Sequence, residues 1–280
     1  MTERPASSVG DAQSHGEFPV SPVALFVATR WELAALRRAL PVNRQVEIDG
    51  ASCFIGQQGE GSYWLVHTGI GPESAKAAAN AVLSRQPMAL AISTGFAGAL
   101  VPAEIGDVIV GISVSSGWFN GAWNQMAQPI SCDAAAISTM RAIVARLGLT
   151  VRVGSVVSLS SVVCRASEKR AIGRLTGAVA LDMESAALGM VAKEQGVPFM
   201  VFRTVSDLAG EDLPVDFNLF LKPSGWVRGF VALMSHPSSL IGLNQLRRQS
   251  RLAADRLTAV CSAYAGAGFG LSSVTDAGRT

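Results

Sequence analysis

The 280-residue chain is predicted to fold as an α/β protein with a doubly wound sheet. Short apolar runs, typical of strands buried on both faces, alternate with segments of helical pattern. Residues 179–210 show this best: an apolar run ends at Asp182, a helical segment follows, and a second apolar run ends at Ser206-Asp207. Ligands bind beyond the carboxyl ends of parallel strands, so we expect Asp182, Glu184 and Asp207 to meet at one rim.

Each of these acids also has a structural explanation. Asp182 has the position of a helix cap, and Glu184 that of a first-turn acid favoured by the helix dipole. The helix that Glu184 opens is almost entirely apolar, so it must be largely buried, and a buried acid usually has a partner or a function. Arg203 and Asp207 lie at i and i+4 around a strand end. They fit either a structural ion pair or a catalytic group held in a loop.

Composition limits the class of protein. A chain of this length with 49% hydrophobic residues can bury the core of one large α/β domain. A net charge of +2 gives no case for nucleic-acid binding. The four cysteines have neither zinc-ligand spacing nor the pattern of a disulfide framework. We therefore expect a cytoplasmic protein without a metal site.

The first half of the chain adds a fourth acid and two glycine-rich turns. A strand is predicted over Val23–Ala28 and a helix over Trp31–Leu40, which places Glu32 in the first helical turn; a surface acid favoured by the dipole is the alternative. Further strands are predicted over residues 45–58, 62–68 and 88–93. Glycine-rich segments, residues 69–72 and 94–100, follow the last two. Such segments either let a ligand approach the backbone or make a tight turn.

The later elements are less regular. Residues 105–110 are predicted as a strand, residues 117–128 as an irregular segment on the surface or at a subunit contact, residues 134–147 as a helix and residues 151–157 as a strand. Residues 1–21 are polar and predicted to be disordered. We expect one domain over residues 22–235, a basic amphipathic helix over 236–265 and a loose end over 266–280.

Together these motifs resemble the purine and uridine nucleoside phosphorylase superfamily. The resemblance rests on Asp182-Met183-Glu184 and Arg203-Thr204-Val205-Ser206-Asp207, with the Gly69 and Gly95 segments in the expected order. It extends from about Val23 to Phe220. The 5′-methylthioadenosine/S-adenosylhomocysteine nucleosidases are the most similar branch. The resemblance implies a three-layer α/β/α sandwich with a central mixed sheet, here with a C-terminal helical extension, and a homodimer that acts on a small nucleoside without a cofactor.

The resemblance also implies roles for particular residues. Cleavage of an N-glycosidic bond builds positive charge on the sugar and negative charge on the base, so it requires carboxylates near the sugar and an acid at the base. Glu32 would activate water, Glu184 would accept the ribose hydroxyls, and Asp207 would protonate or hydrogen-bond N7 of a purine. The remaining residues expected to contact the substrate or to support those that do are Met183, Arg203, Ser206, Gly95, Ala97, Val163, Phe217 and Asp182.

The chain departs from the nucleosidase pattern at three places. Phe96 replaces a common serine, and Val163 lies where an aromatic residue often stacks on the base. From Leu221 the tail resembles that of hopanoid-associated proteins, which remove adenine from an adenosylated lipid. Its apolar stripe and arginines fit either a helix at an anionic membrane surface or a helix packed on its own domain or a second subunit. The members of the stripe are Leu240, Leu243, Leu246, Ala253, Leu257 and Val260.

Three functions follow from these observations. The first is a nucleosidase that releases adenine from a 5′-substituted adenosine, with a lipid-linked compound such as adenosylhopane as one candidate substrate. The second is a phosphate-dependent purine nucleoside phosphorylase. It is disfavoured because the glycine-rich segments hold no arginine cluster and Glu32 would repel phosphate. The third is a nucleoside-binding module that has lost catalysis.

Overall fold

The computed structural model describes residues 21–59, 61–214 and 237–271, with residues 237–243 as backbone only. Within these ranges the strands are β1 Val23–Val27, β2 Arg44–Ile48, β3 Ala51–Gln58, β4 Gly61–His67, β5 Leu90–Ala99, β6 Val108–Phe119, β7 Trp123–Gln125, β8 Ile130–Ser131, β9 Val151–Ser158, β10 Ala180–Asp182 and β11 Phe199–Asp207. The helices are α1 Arg30–Ala39, α2 Pro72–Leu83, α3 Ala134–Arg146, α4 Ala166–Thr176, α5 Ser185–Glu194 and α6 Pro237–Gly266, followed by a 3-10 turn at Gly268–Gly270.

The strands form one mixed sheet in the order β10-β9-β6-β11-β5-β1-β4-β3-β2, with β7 and β8 paired to β6. Strand β1 is parallel to both β4 and β5, and β5 is parallel to β11. Strand β6 is antiparallel to β11, and the β2–β3–β4 meander is antiparallel throughout. The predicted fold class, with a mixed central sheet and a C-terminal helix, is confirmed.

Helices cover both faces of the sheet and complete the three layers. On one face, α2 and α5 pack together through alanines and aliphatic residues such as Val82 and Leu188. On the other, α1, α3 and α6 contribute Leu36, Met140 and Leu257 to a second core. Helix α4 adds Ile172 to a smaller cluster beside β9 and β10. The sheet is therefore buried on both faces, as its apolar strand sequences predict.

Two segments differ from the sequence prediction. Strand β5 continues through residues 94–99, predicted as a turn, because it pairs with β11 as far as Gly98 and with β10 at Gly98 and Ala99. The segment 117–128, predicted as irregular, is largely a hairpin, since β7 pairs with the end of β6. In both cases the added order comes from pairing with a strand elsewhere in the chain, which local composition does not report.

The directions of β10 and β11 differ from the sequence prediction, which placed Asp182 and Asp207 at the ends of two parallel strands. Strand β10 runs antiparallel to β5, and β11 runs parallel to it, so β10 and β11 point in opposite directions. The carboxyl end of β10 reaches the middle of the sheet because Leu181 pairs with Gly98, the same residue that faces Asp207. The ends of β10 and β11 therefore both reach β5 near Gly98 while running in opposite directions, and the expectation of two parallel strands was wrong.

The C-terminal helix packs on the domain along its second half. Ala253, Leu257 and Val260 from the predicted apolar stripe are fully buried, together with Tyr264. Thr258 donates a hydrogen bond to the Ala35 carbonyl of α1 at 3.1 Å, and Thr204 of β11 donates to the Ala253 carbonyl at 3.1 Å. Leu240 and Leu243 lie in the part described only as backbone. In the described ranges, no helix combines the length and apolar character needed to cross a bilayer.

Candidate active site

Glu32 is an inward-facing carboxylate at the start of α1. Its side chain and Thr29 form a capping box, in which Oε2 accepts hydrogen bonds from the Thr29 N–H at 2.7 Å and hydroxyl at 2.9 Å. Oε2 also accepts from the Ala28 N–H, and Oε1 accepts from the Phe96 N–H at 2.7 Å. Glu32 is only 3% exposed, so the alternative of a surface acid is wrong. Four donors hold the carboxylate against β5.

Gly95 makes the close approach to this carboxylate possible. Its φ is +135°, a conformation that favours glycine, and a Cβ there would lie 2.2 Å from Glu32 Oε1 and 3.1 Å from Arg203 Nη1. In the register of the sheet, Gly95 is the partner of Arg203 on β11. The glycine therefore serves the packing of two charged side chains, a reason distinct from either the turn or the ligand approach considered from sequence.

Arg203 is the buried cation at the centre of the cluster. Its Nη2 contacts Asp182 Oδ2 at 2.9 Å and donates to the Ser93 and Ser185 hydroxyls at 2.8 and 3.0 Å. Nη2 also lies 3.9 Å from Glu184 Oε2, and Nη1 donates to the Phe96 carbonyl. The guanidinium thus links the end of β10 and the start of α5 to β5. The sequence alternative of an Arg203–Asp207 pair was wrong, since Arg203 pairs with Asp182.

Asp182 and Glu184 lie on the same side of this guanidinium. Asp182 accepts a hydrogen bond from the Ser185 N–H at 3.2 Å and from the Ser158 and Ser185 hydroxyls, so it both supports the start of α5 and neutralises Arg203. Glu184 precedes the first turn, and its Oε1 accepts from the Gly71 N–H at 2.9 Å. Burial raises the pKa of Glu184 from 4.5 to about 7; Arg203 opposes the rise, and Asp182 adds to it.

Asp207 lies at the end of β11, next to the same stretch of β5. Ser206 donates to its Oδ2 at 3.1 Å and is 3.4 Å from the Ala97 carbonyl. A Cβ on Gly98 would lie 2.9 Å from Asp207 Oδ1. The Lys169 ammonium forms a short ion pair with Oδ1. The charged partner of Asp207 is therefore a lysine of α4.

A cavity of about 580 Å³ opens beside the cluster. It is lined by Met183 and Ser160 on one side and by Arg30, His67 and residues 69–73 on the other. This volume falls in the range of small-molecule sites. Gly71, which lines it, is the residue whose N–H binds Glu184, so the cavity adjoins the carboxylate directly. Glu32, Glu184 and Asp207 are not among the residues that line it.

Two other predicted contacts are Val163, which does not line this cavity, and Phe217. Val163 is buried with Leu159, Ile172 and Leu181 in the small cluster near α4. Phe217 lies outside the described residues.

The sequence model of the phosphorylase superfamily matches residues 22–223, which is most of the chain. The chain belongs to the phosphorylase superfamily.

Two relatives of this superfamily protein have the same name, 5′-methylthioadenosine/S-adenosylhomocysteine nucleosidase. A protein from Oceanobacillus iheyensis named 5′-methylthioadenosine/S-adenosylhomocysteine nucleosidase is 25% identical over 204 residues, covering 69% of this chain and 89% of the relative. One of the same name from Geobacillus thermodenitrificans is 27% identical over 210 residues, covering 71% and 89%. The predicted superfamily and the resemblance to its nucleosidase branch are thus confirmed.

Solved structures agree on the fold of the superfamily protein. The Neisseria meningitidis 5′-methylthioadenosine/S-adenosylhomocysteine nucleosidase, in complex with methylthio-immucillin-A, aligns with a TM-score of 0.66 at 20% identity over 87% of this chain and 99% of that one. The futalosine hydrolase of Helicobacter pylori aligns with a TM-score of 0.66 at 15% identity over 86% and 97%.

Sequence reasoning missed several residues of this superfamily site. The hydroxyls of Ser93 and Ser185 accept hydrogen bonds from the Arg203 guanidinium. Each serine lies in an apolar segment that contains no recognisable motif. Lys169 had a usable signal, because Ala166, Lys169 and Ile172 recur at helical spacing on the buried side of α4. A lysine on an apolar stripe needs a buried acceptor, and a strand-end acid was already suspected.

Proposed function

We propose that the protein is a nucleosidase that hydrolyses the N-glycosidic bond of an adenosyl compound and releases adenine. The observation that carries the proposal is the pair of buried carboxylates, Glu32 and Glu184, held around the single guanidinium of Arg203. A sugar that becomes positively charged as its bond to the base breaks is stabilised by such fixed negative charge. The names of the sequence relatives support the same reaction.

Glu184 binds the ribose in this mechanism. Its raised pKa follows from burial, and hydroxyl donors from the sugar would replace the water that burial removes. Two hydroxyls bound to one carboxylate both orient the ring and raise its electron density. Met183 lines the adjoining cavity and provides an apolar wall under the sugar.

Glu32 receives the proton of the attacking water. The oxygen of that water bonds to the anomeric carbon while the pair of electrons in the bond to the base leaves with the base. Four hydrogen-bond donors already restrain the Glu32 carboxylate, so this proton acceptor does not need to be ordered during the reaction. Arg203 limits the repulsion between the carboxylates, and Asp182 neutralises the guanidinium at Nη2.

Asp207 serves the departing base. It transfers a proton to N7 and so neutralises the charge that accumulates on the purine. Ser206 orients the carboxylate through the hydrogen bond to Oδ2. The small side chain of Ala97 leaves room for the substrate beside β5, while Gly95 makes room for Glu32 and Arg203.

Water is favoured over phosphate as the nucleophile. A phosphate needs a cradle of basic side chains and backbone donors, whereas the described cluster around Arg203 holds three acids, Glu32, Asp182 and Glu184. One observation keeps phosphorolysis as the second candidate. Arg30 and His67 line the cavity together with the backbone of residues 69–71, and these groups are the kind that bind an anion.

The finer proposal concerns the 5′ substituent. Ile70, which lines the cavity, is 49% exposed, and Trp31, which follows the lining residue Arg30, is 53% exposed. This exposed apolar surface supports a 5′ substituent larger than methylthio, such as the lipid of adenosylhopane. Activity on methylthioadenosine far above that on any lipid-linked adenosine would reject it. The homodimer, the cytoplasmic location and a membrane contact of the C-terminal helix stay predictions.

The experiment is an adenine-release assay on a panel of 5′-substituted adenosines, with and without inorganic phosphate. We expect phosphate-independent release, and Asp207→Asn to lower it by about 10²- to 10⁴-fold. Asp255→Asn, at an exposed aspartate of α6, is the matched control. Release that requires phosphate would establish the phosphorylase. Ligand affinity unchanged in Asp207→Asn, with no base released by the wild type from any nucleoside, would establish a binding module.

A further inference from the structure

Lys169 is a buried lysine that the proposed reaction does not yet use. It lies on α4 and its side chain has no exposed surface. Removing an ammonium from water costs several kcal/mol unless opposite charge and hydrogen bonds replace the solvent. A lysine is rarely buried without a partner, so the groups that contact the Lys169 ammonium indicate its role.

Each proton of the Lys169 ammonium has an acceptor, either at the last residue of β11 or in the loop that follows it. Nζ contacts Asp207 Oδ1 and donates to the carbonyls of Leu208 at 3.1 Å and Glu211 at 3.3 Å. An ammonium has three donors, and all three are used. The lysine therefore binds the carboxylate and the loop behind it as one unit.

The same loop is tied to the start of α4 at two further points. The Ala166 N–H donates to Asp212 Oδ1 at 2.6 Å, and the Leu213 N–H donates to the Cys164 carbonyl at 2.8 Å. These contacts hold α4 against residues 208–213 independently of Lys169. Loss of the ammonium is therefore expected to free the Asp207 side chain without detaching the helix.

The Asp207 carboxylate is bounded on several sides. Lys169 occupies Oδ1, Ser206 donates to Oδ2, and the backbone at Gly98 closes the side toward β5. A carboxylate held in this way presents one oxygen, Oδ2, in a defined direction. Catalytic groups need such restraint, because small misplacements of a proton donor lower the rate strongly.

We propose that Lys169 is a positioning residue that holds Asp207 for proton transfer to the base, an inference that rests on the proposed nucleosidase reaction. Asp207 first takes a proton from water onto Oδ2; in the step, the Oδ2–H bond breaks and an N7–H bond forms while the electron pair of the sugar–base bond stays on the purine. Asp207 becomes a carboxylate, and the Lys169 ammonium stabilises that new charge. Lys169 acts through Asp207 and does not touch the substrate.

The test compares two leaving groups. Adenine needs a proton to depart, whereas the 4-nitrophenolate of a 4-nitrophenyl riboside leaves as a stable anion. We expect Lys169→Met to lower kcat for adenine release by about 10²-fold or more, with KM changed less than about threefold. On the nitrophenyl riboside the loss should stay below about tenfold. Lys193→Met, at an exposed lysine of α5, is the matched control.

Two further variants sharpen the result. Lys169→Arg keeps a cation and several donors, so we expect it to regain at least about tenfold of the activity on adenine substrates. In the Asp207→Asn background, Lys169→Met should add almost nothing, because both act on one step. Equal losses on the two leaving groups, no loss on either, or additive losses in the double variant would overturn the proposal.

The failure modes can be told apart. If Lys169→Met does not give a cooperative thermal transition, Lys169→Arg carries the test. It must then show a selective loss on adenine substrates relative to wild type, and an equal loss on both substrates overturns the inference. Wild-type protein that releases no adenine would overturn the nucleosidase itself, whereas an active wild type with an unaffected Lys169→Met would overturn only the role of Lys169.

Discussion

Replacing Glu184 with glutamine should make the protein more stable at alkaline pH while it lowers activity. The glutamine side chain keeps the shape of glutamate, and its carbonyl can still accept the hydrogen bond from the Gly71 N–H. What it removes is a negative charge that burial disfavours, as the raised pKa of Glu184 shows. Arg203 keeps its closer partner, Asp182, at 2.9 Å, so the guanidinium is not left without a counter-ion.

The magnitude follows from the pKa of Glu184, which moves from 4.5 to about 7 on folding. A tenfold change in an acid equilibrium corresponds to about 1.4 kcal/mol, so the ionised carboxylate costs about 3 kcal/mol. Below pH 4.5 both states are protonated and the cost is absent. As pH rises from 4.5 to about 7 the unfolded state has lost a proton that the native state keeps, so stability falls. Above pH 7 the whole cost applies.

The assay is thermal and urea unfolding of the wild type and Glu184→Gln at pH 5 and pH 8. At pH 8 the variant should be more stable by up to about 3 kcal/mol, or roughly 5 °C in Tm for a chain of this length. The gap should be much smaller at pH 5. Glu47→Gln, on the exposed face of β2, controls for the loss of a charge. A stability gap that does not change with pH would refute the reasoning, and so would a variant that is less stable at pH 8.

Three further predictions follow from the same contacts. Gly95→Ala would place a Cβ 2.2 Å from a carboxylate oxygen, so it should lose about 3 kcal/mol of stability, whereas Gly210→Ala, with open space around it, should be nearly neutral in thermal unfolding. Leu257→Ala in the buried part of α6 should cost about 2–5 kcal/mol in urea unfolding, against almost nothing for Leu252→Ala, whose side chain is 42% exposed. Because ribose hydroxyls bind ionised Glu184, KM should fall as pH rises through about 7, measured by initial rates.

The elements that sequence predicted well are those whose signals are local. Helix α1 could be placed because its leucines recur at helical spacing, and α5 because its apolar run ends at a glycine followed by a proline. The extension of β5 and the β6–β7 hairpin were missed because each depends on a partner strand distant in sequence. Pairing of that kind leaves no periodic signal in either segment.

The candidate site divides in the same way. Glu184, Asp207 and Arg203 could be identified from sequence because they stand at or near the ends of apolar strands, and the resemblance to the superfamily added Glu32. The partners of these residues could not be named. One sequence alternative paired Arg203 with Asp207, whereas in the structure Arg203 pairs with Asp182 and Asp207 pairs with Lys169.

By itself the sequence determined the fold class and the residue types available for chemistry, because hydrophobic period and strand-end polarity are properties of short segments. The tertiary structure decided which charges neutralise one another and which strand pairing brings each acid to β5. Strand β10 enters against the direction of β5, and this single pairing brings Asp182 next to Arg203 and leaves Asp207 for Lys169. Electrostatic partners are set by distances of a few ångströms between elements far apart in the chain, and those distances exist only once the sheet has formed.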